Sequence, residues 1–408
     1  MTDKEDVIVA IDLGTSEIRT IFGKKNNFGQ IETLSQNKYK CSGLQKGEIL
    51  DEADIGYSIS QSVRKVEETL DISVKSAYIN ILGKNSTIVQ NKVQYAVKDI
   101  KKGITAKDFK YSIMQLKDIE IPKDMVIINI LVSKILLDNG KEVVNPVGVQ
   151  DVQSFTVFAD IILADKEYIK KISRVFKKAG LKIDGIIPTL LAEKNYIQSE
   201  TDINKNILLI DIGSQNTDIG VFKGDEFVFT DTVPLGGDNI TRDIALIFNI
   251  PQDVAENLKV QHGRALISSV DNDSEIILNN CPVKDTSEYK TVKQNELNEI
   301  IEARIEEIFS LVNEKIQGCK NGIEYAIITG RGISKIEKSD LVGRLVLDMP
   351  VKINNKTPNF IKSEFFTSYC IAKYVSQRPY TKNIASKIEF SCSNENKTSN
   401  KIKNFFYS

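Results

Sequence analysis

The chain has 408 residues, with 54 lysines and arginines against 55 aspartates and glutamates, so its formal net charge is −1. This balance gives no whole-molecule attraction for nucleic acid and argues against a general DNA-binding role. The 5 cysteines form no CxxC pair and His262 is the single histidine. These counts exclude a histidine-rich metal centre and predict reduced, cytosolic thiols. No apolar run reaches the roughly 18 residues that a membrane-spanning helix needs.

The first clear pattern is a β-branched run that begins at Val7 and ends in Asp12-Leu13-Gly14-Thr15-Ser16. Such a run is typical of a strand that is buried on both faces of a sheet. A second strand-like stretch, from Ile18 to Gly23, follows at once and predicts a β-hairpin. The hairpin argues against the Rossmann fingerprint, in which a helix follows the first strand.

Apolar residues at helical spacing come next, at Ile55, Ile59, Val63, Val66 and Leu70. They predict a helix on the opening sheet, and Ser76–Leu82 is typical of the strand that follows.

Residues 83–164 form a candidate insertion. Short apolar strands are predicted over Met125–Val132 and Ser154–Leu163, with an amphipathic helix over Ala106–Ile119. A further helix is predicted over Lys166–Ala179, with Gly180 at its C-terminal cap.

The segment Asn206–Ser214 repeats the opening pattern about 200 residues later. It has the same apolar strand, the same Asp-x-Gly at Asp211-Ile212-Gly213, and then a predicted strand over Asp218–Phe222. Two copies of one unit predict an internally duplicated α/β protein.

Three further elements are predicted after this second copy. An apolar stripe predicts a long helix over Glu296–Ile316, and Tyr325–Thr329 is typical of a buried strand that meets the turn Gly330-Arg331-Gly332. A last helix is predicted over Ser363–Val375.

The two Asp-x-Gly turns suit phosphate binding if they face each other across a cleft. Glycine lets the backbone approach a phosphate, and backbone N–H groups with the hydroxyls of Thr15 and Ser16 would hold its oxygens. Asp12 and Asp211 would orient a hydrated Mg²⁺. One such turn alone is usually a simple tight β-turn, whereas two turns and a third glycine turn favour a nucleotide cleft.

The order of these loops resembles that of the actin and heat-shock-chaperone ATPase superfamily. Within it, the chain resembles the FtsA family of bacterial cell-division proteins. The resemblance is carried by Ala10–Ser16, Asn145–Val149, Ala179–Asp184, Val233–Ala245 and Ala255–Gly263. The insertion also fits, because FtsA-like proteins carry an extra subdomain at this point that actin lacks.

The resemblance implies an α/β, actin-like ATPase fold: two duplicated ribonuclease-H-like halves around a nucleotide cleft, with an FtsA-type inserted subdomain. The implied division has a first-half core at 1–82 and 165–203, the insert at 83–164, and a second-half core at 204–240. A smaller nucleotide and partner subdomain follows at 241–322, then the rest of the second-half core with the closing helix at 323–380, and a polar linker with a membrane-targeting segment at 381–408.

The resemblance also implies the nucleotide-binding residues. They are Gly14, Thr15 and Ser16 in a first phosphate loop; Gly213, Ser214 and Gln215 in a second; the pair Gly236 and Gly237; Glu256 and Lys259 at the adenosine; and Gly330, Arg331 and Gly332 in an adenosine loop. The implied cofactors are ATP and Mg²⁺, with Asp12 and Asp211 reaching the metal through water. No catalytic residue is implied.

Three departures from the family pattern bear on activity. Ser214 and Gln215 stand where the second loop usually has glycines, and Arg331 separates a glycine pair. Active chaperone ATPases carry an acidic residue before the proline of the first connecting segment, where this chain has Ile187 before Pro188. The sequence therefore predicts ATP binding with slow or absent hydrolysis.

The last segment, residues 381–408, has five lysines and two glutamates, a net charge of +3. Ile402, Phe405 and Phe406 share one face of a helical turn, beside Lys401 and Lys403. The FtsA family ends in a linker and an amphipathic membrane helix, so a weak anchor is predicted that acts through avidity. The alternative is a disordered tail without a role.

The resemblance implies a scaffold that tethers FtsZ filaments to the cytoplasmic membrane at the division septum. Implied partners are the FtsZ C-terminal tail, bound in the region 241–322, further copies of the chain in actin-like polymers, other divisome proteins, and an anionic membrane surface. The implied location is cytoplasmic, peripheral on the inner face of the membrane. Another actin-like filament or pilus-assembly protein is the alternative. A sugar kinase is disfavoured, because no convincing aspartate base lies in a substrate loop.

Overall fold

The computed structural model describes residues 7–26, 30–198, 204–265, 274–282, 289–354 and 356–377. Its strands are β1 Val7–Leu13, β2 Glu17–Lys25, β3 Ile31–Lys40, β4 Leu44–Gln45, β5 Glu48–Ile49, β6 Ser76–Ile81, β7 Ser86–Ala96, β8 Met125–Leu137, β9 Ser154–Asp165, β10 Lys182–Pro188, β11 Asn206–Ile212, β12 Thr217–Lys223, β13 Glu226–Val233, β14 Glu275–Pro282, β15 Tyr289–Lys293, β16 Tyr325–Thr329 and β17 Val351–Ile353. Its helices are α1 Glu52–Leu70, α2 Ala106–Gln115, α3 Lys166–Lys178, α4 Thr189–Ile197, α5 Gly237–Phe248, α6 Gln252–His262, α7 Gln294–Ile316, α8 Ser339–Leu347 and α9 Phe366–Gln377.

Two five-stranded sheets form the body of the molecule. Their orders are β10-β6-β1-β2-β3 and β13-β12-β11-β16-β17. In each, the first strand pairs antiparallel with the next strand of its hairpin and parallel with a later strand, β6 or β16. The shared connectivity confirms the duplication that the two Asp-x-Gly copies predict.

The predicted helices on the first sheet form where apolar spacing places them. In α1, Asp51 caps the N-terminus by accepting hydrogen bonds from the backbone N–H groups of Ala53 and Asp54, at 2.8 and 3.0 Å. Its buried face includes Ile55, Ile59 and the neighbouring predicted positions of the stripe. Capping and a continuous apolar stripe explain why this helix is legible in the sequence.

The insert has a separate sheet, in the order β7-β9-β8, with α2 beside it. Its apolar side chains form a core of their own, which includes Phe155, Val157 and Ile104. Two details differ from prediction: α2 ends at Gln115 rather than Ile119, and β7 is not predicted, because its apolar residues form neither a continuous run nor a strict alternation.

Alternate residues of β11 point into two different cores. Ile207 and Leu209 join the core of the first sheet, together with α1, α3, α4 and α9, whereas Leu208 and Ile210 join a second core. The second core includes residues of α5, α6, α7 and α8. The cleft described below opens at the loop end of both sheets.

Two findings concern membranes. No helix within the described ranges has both the length and the apolar character needed to cross a bilayer. The predicted membrane-targeting segment, with Lys401, Ile402, Lys403, Phe405 and Phe406, lies outside the described residues.

Candidate functional site

The glycine turns of the two halves meet around a cavity of about 630 Å³. Among the predicted nucleotide-binding residues, its lining contains Asp12, Gly14, Thr15, Ser16, Asp211, Gly213, Ser214, Gly237, Glu256, Lys259, Gly330, Arg331 and Gly332. Gln215 and Gly236 are not part of the lining. Folding thus brings together three turns that lie up to 318 residues apart in sequence, from Gly14 to Gly332.

The close packing of these turns requires glycine. Gly237 N–H donates to the Gly213 carbonyl at 2.9 Å, and Gly332 N–H donates to the Ile212 carbonyl at 2.7 Å. A Cβ on Gly237 would lie 2.6 Å from Gly332 Cα, and one on Gly332 would lie 2.4 Å from the Gly213 oxygen. Any larger residue would therefore push the second phosphate loop, the start of α5 and the third turn apart.

The two predicted phosphate loops touch across the cleft. The hydroxyls of Thr15 and Ser214 are hydrogen-bonded at 2.9 Å. Gln215 points elsewhere, and its Oε1 accepts a hydrogen bond from Lys46 N–H at 3.0 Å. Two of the side chains that depart from the family's glycines thus connect the second half to the first.

Asp12 has a neutralising partner. Arg19 Nη1 lies 3.3 Å from its carboxylate, and Asn80 Nδ2 donates to it at 3.0 Å. The Oδ1 of Asn80 accepts from the N–H of Leu13 at 2.7 Å, which fixes the end of β1. Burial raises the pKa of Asp12, although Arg19 opposes that rise.

Asp211 lies in a more acidic setting. Burial and the neighbouring Asp12 raise the pKa of Asp211 to about 7. Burial also raises the pKa of Asp218, on β12, to about 7, and its carboxylate accepts hydrogen bonds from the Thr232 hydroxyl and from Gly83 N–H. A divalent cation would stabilise the charged form of these carboxylates, whose pKa values are raised. This wall of the cleft therefore fits a hydrated Mg²⁺.

The region that holds the catalytic acid in chaperone ATPases is apolar at Ile187, which is 1% exposed. Six residues after Ile187, on α4, Glu193 is fully buried. Its carboxyl accepts hydrogen bonds from the hydroxyls of Thr329 and Thr367, at 2.8 and 2.9 Å. Burial and the nearby Asp211 hold the pKa of Glu193 well above its usual range. Both oxygens of this buried carboxyl already accept hydrogen bonds from threonines, which favours a structural role over that of a base.

Lys259 is a buried cation near the predicted adenosine side. It is 4% exposed, and its Nζ donates to the Gly237 carbonyl at 3.1 Å and to Thr241 Oγ1 at 2.9 Å. Glu256, one turn earlier on α6, pairs with it at 2.6 Å. The pair ties α6 to the start of α5 and closes one side of the cavity.

Sequence reasoning missed Arg19, Asn80, Asp218 and Glu193. Two of them had a usable signal, because Arg19 and Asp218 each lie seven residues after the aspartate of their hairpin. Pairing the hairpin strands places each directly opposite that aspartate. The other two come from β6 and α4, and nothing local in the sequence marks them.

Comparison with known proteins supports both the fold and the relationship. A sequence model of the family "Cell division protein FtsA" matches residues 208–370. The FtsA of Pseudomonas aeruginosa is 24% identical over 349 residues, covering 85% of this chain and 82% of its own length. The FtsA of Borreliella burgdorferi is 25% identical over 412 residues, covering 98% of each.

Solved structures share the architecture at low sequence identity. A chain of the PilM–PilN type IV pilus biogenesis complex superposes with a TM-score of 0.57 at 13% identity, over 91% of this chain and 97% of the other. MreB5 of Spiroplasma citri bound to ADP gives 0.55 at 13%, over 93% and 98%. At this identity the likeness shows the fold alone.

The duplicated sheets, the cleft between them and these neighbours define a protein with the actin-like ATPase fold, as predicted. Within that class, the relatives found by sequence include the cell-division proteins FtsA of Pseudomonas aeruginosa and of Bacillus subtilis. By sequence the chain is similar to the FtsA family, over residues 208–370 for the family model and over most of its length for individual FtsA proteins.

Proposed function

We propose that this chain is an ATP-binding scaffold that tethers FtsZ filaments to the cytoplasmic membrane at the division septum and recruits later division proteins. The observation that carries the proposal is the convergence of three glycine turns, from both halves of a chain similar to FtsA, on one cleft. The nucleotide would hold the two halves in one arrangement, and the exposed surfaces of that arrangement would bind the partners.

ATP and Mg²⁺ fit the residues of the cleft. The turns at Gly14–Ser16 and Gly213–Ser214 would hold the phosphates, and the face near Lys259 and Gly330 would take the adenosine. Bound Mg²⁺ would supply positive charge to the phosphates and to the carboxylates of Asp12 and Asp211, through water. A solved neighbour, MreB5 of Spiroplasma citri, has ADP bound in its crystal structure, which supports a nucleotide here.

ATP binding at this cleft is tested by Gly332→Ala, with Gly318→Ala as the matched control. A Cβ at Gly332 would meet backbone oxygen at 2.4 Å, whereas nothing lies within 4 Å of one at Gly318. We expect Gly332→Ala to weaken ATP binding about 30-fold or more by calorimetry, and the control to change it less than about twofold. Undiminished affinity in Gly332→Ala would place ATP elsewhere.

Slow or absent hydrolysis is part of the proposal. Ile187 offers no proton acceptor, and Glu193 already accepts hydrogen bonds from two threonines. An ADP-release assay is expected to show turnover well below roughly 1 s⁻¹, the low end of typical enzymes. Faster turnover that Gly332→Ala abolishes would contradict this part of the proposal.

Partner binding is proposed for the subdomain over 241–322. Its described residues include three exposed apolar side chains: Leu246 (72% exposed), Ile247 (64%) and Ile277 (61%). Exposed apolar groups on a charged surface are typical of protein contact sites. Pull-down with an FtsZ C-terminal peptide, with and without ATP, is expected to retain the wild-type chain and lose Leu246→Glu/Ile247→Glu. Capture of neither chain would reject this partner.

Self-association and membrane attachment complete the proposal. Polymers would present many C-terminal segments at once, so that weak individual anchors add up by avidity. Deletion of residues 401–408 is expected to abolish co-sedimentation with anionic liposomes while leaving ATP binding intact. Unchanged co-sedimentation would refute the anchor. ATP-dependent pelleting of the chain alone tests polymer formation.

A further inference from the structure

The insert joins the first half through a short 3₁₀ helix, Gly83–Asn85, here called the neck. The second half contacts the neck directly. The backbone N–H of Gly83 donates to both oxygens of Asp218, at 3.2 and 3.3 Å, and the backbone N–H of Lys84 donates to Thr232 Oγ1 at 2.9 Å. A Cβ on Gly83 would lie 2.6 Å from the Asp231 carbonyl oxygen, so this contact is tight.

The first half contacts the neck from the other side. The hairpin of β4 and β5 turns at Lys46–Gly47, where both residues have positive φ. Lys84 Nζ donates to the Lys46 carbonyl and pairs with Glu48 at 2.6 Å. Asn85 Nδ2 donates to the Gly47 carbonyl at 3.4 Å. The neck therefore lies between elements of both halves.

The same two elements reach the cleft. Gln215, in the second phosphate loop, accepts a hydrogen bond from Lys46 N–H, and Asp218 lines the cavity that Asp211 shares. Ser214, beside Gln215, is hydrogen-bonded to Thr15 across the cleft. A phosphate that takes these two hydroxyls must replace their mutual bond, because each hydroxyl has one proton to donate. Any shift of the second loop would reach the Lys46–Gly47 turn through Gln215, and the neck through Asp218 at the start of β12.

We propose that the neck transmits occupancy of the nucleotide cleft to the inserted subdomain, through Lys84 and the Lys46–Gly47 turn on one side and Asp218 on the other. This inference rests on the proposed ATP binding and adds its regulatory consequence. The insert would shift its position or rigidity when the cleft fills, and any partner on the insert would bind a nucleotide-dependent surface. Coupling of this kind requires contacts that differ between two states. The neck has contacts with both halves of the molecule, so a change in their arrangement would reach it.

The test is hydrogen exchange of the full chain with and without Mg-ATP, read in peptides that cover β7 and β9. In the wild type, ATP is expected to slow exchange in these peptides by roughly threefold or more. Lys84→Ala removes the contacts of the neck to Lys46 and Glu48, leaves the weaker Asn85–Gly47 contact, and does not change the cleft lining. It is expected to keep ATP affinity within about threefold of wild type and to lose most of the exchange response of the insert.

The matched control is Lys110→Ala, an exposed lysine on α2 of the same insert, which is expected to respond as the wild type does. Glu48→Gln is a milder change at an exposed position and is expected to reduce the response in part; its melting temperature checks that the fold is kept. A full exchange response in Lys84→Ala, or none in the wild type with ATP bound, overturns the inference alone. Failure of the wild type to bind ATP overturns the proposed function as well.

Discussion

The two duplicated hairpins differ in the residue that faces their shared aspartate. In β1–β2, Asp12 is directly opposite Arg19; in β11–β12, Asp211 is directly opposite Asp218. Directly opposed side chains of an antiparallel pair lie on the same face, close enough for their charges to interact. The first hairpin therefore carries an ion pair, and the second carries two carboxylates.

The two halves therefore differ in the charge that lies next to their aspartate. The first carboxylate already has a cation of the protein beside it, at 3.3 Å. In the second pair Asp218 is buried and Asp211 half-buried, and the pKa of each is raised to about 7. The duplicated unit is thus asymmetric: the first copy pairs its aspartate with a cation of the protein, and the second sets two carboxylates opposite each other.

The largest expected effect separates the two aspartates by their need for metal. Asp211→Asn is expected to weaken Mg-ATP binding about 100-fold, because it removes charge from a carboxylate that has no ion pair among the described residues, unlike Asp12. Asp12→Asn is expected to weaken it only about tenfold, because Arg19 partly neutralises that carboxylate. Calorimetry with Mg²⁺ and with EDTA measures both. Equal losses in the two variants would mean that the hairpins do not divide the work.

A second effect concerns stability and pH. The pKa of Asp218 is raised from 3.8 to about 7, so its proton is bound more tightly in the folded chain than in the unfolded one. Its contribution to stability is fully present below about pH 4 and is lost as the pH rises through 7. Asp218→Asn keeps an acceptor for Gly83 and is expected to raise the free energy of unfolding by about 1–2 kcal/mol at pH 8, and less at pH 5.

Urea unfolding of the nucleotide-free chain at pH 5 and pH 8 provides the measurement. The control is Asp124→Asn, an exposed position, for which no pH-dependent difference is expected. A variant less stable than wild type at pH 8 would show that the Asp218 charge is compensated in the folded chain.

The smallest effect has the opposite sign and belongs to the first hairpin. Glu17 pairs with Arg19 at 2.9 Å and with Lys38 at 3.1 Å. Burial opposes ionisation, but Lys38 and Arg19 outweigh it and hold the pKa of Glu17 below its usual range. Glu17→Gln is expected to lower stability by about 0.5 kcal/mol at pH 7, since partly exposed ion pairs contribute little. A gain in stability by the same unfolding assay would remove the contrast with Asp218.

Much of the fold was predictable because it depends on local patterns. The β-branched runs of β1 and β11 and the stripes of α1 and α7 each show their burial in a few neighbouring residues. β7 could not be predicted in this way, since most of its residues are exposed or half-buried and its apolar residues follow no regular spacing.

The candidate site divides along the same line. Glycines and aspartates in turns can be recognised in the sequence, because few other residues suit those positions. Asn80 does not, because its role arises from a hydrogen bond to Asp12, 68 residues away, that exists only once β6 lies beside β1. Glu193 is also assigned by distant partners, at Thr329 and Thr367.

The position of α9 has a consequence for how the chain is made. This helix, at Phe366–Gln377, packs against β1 and β2, and Ile371 and Tyr374 are fully buried in the core of the first sheet. During synthesis from the N-terminus, the core of the first sheet therefore cannot be completed until α9 has been made, almost 300 residues after the β6 strand of that sheet. Until then, its sheet exposes an apolar face. A stop codon before residue 366 is thus expected to destabilise the first half of the molecule, because it removes the helix that covers the first sheet.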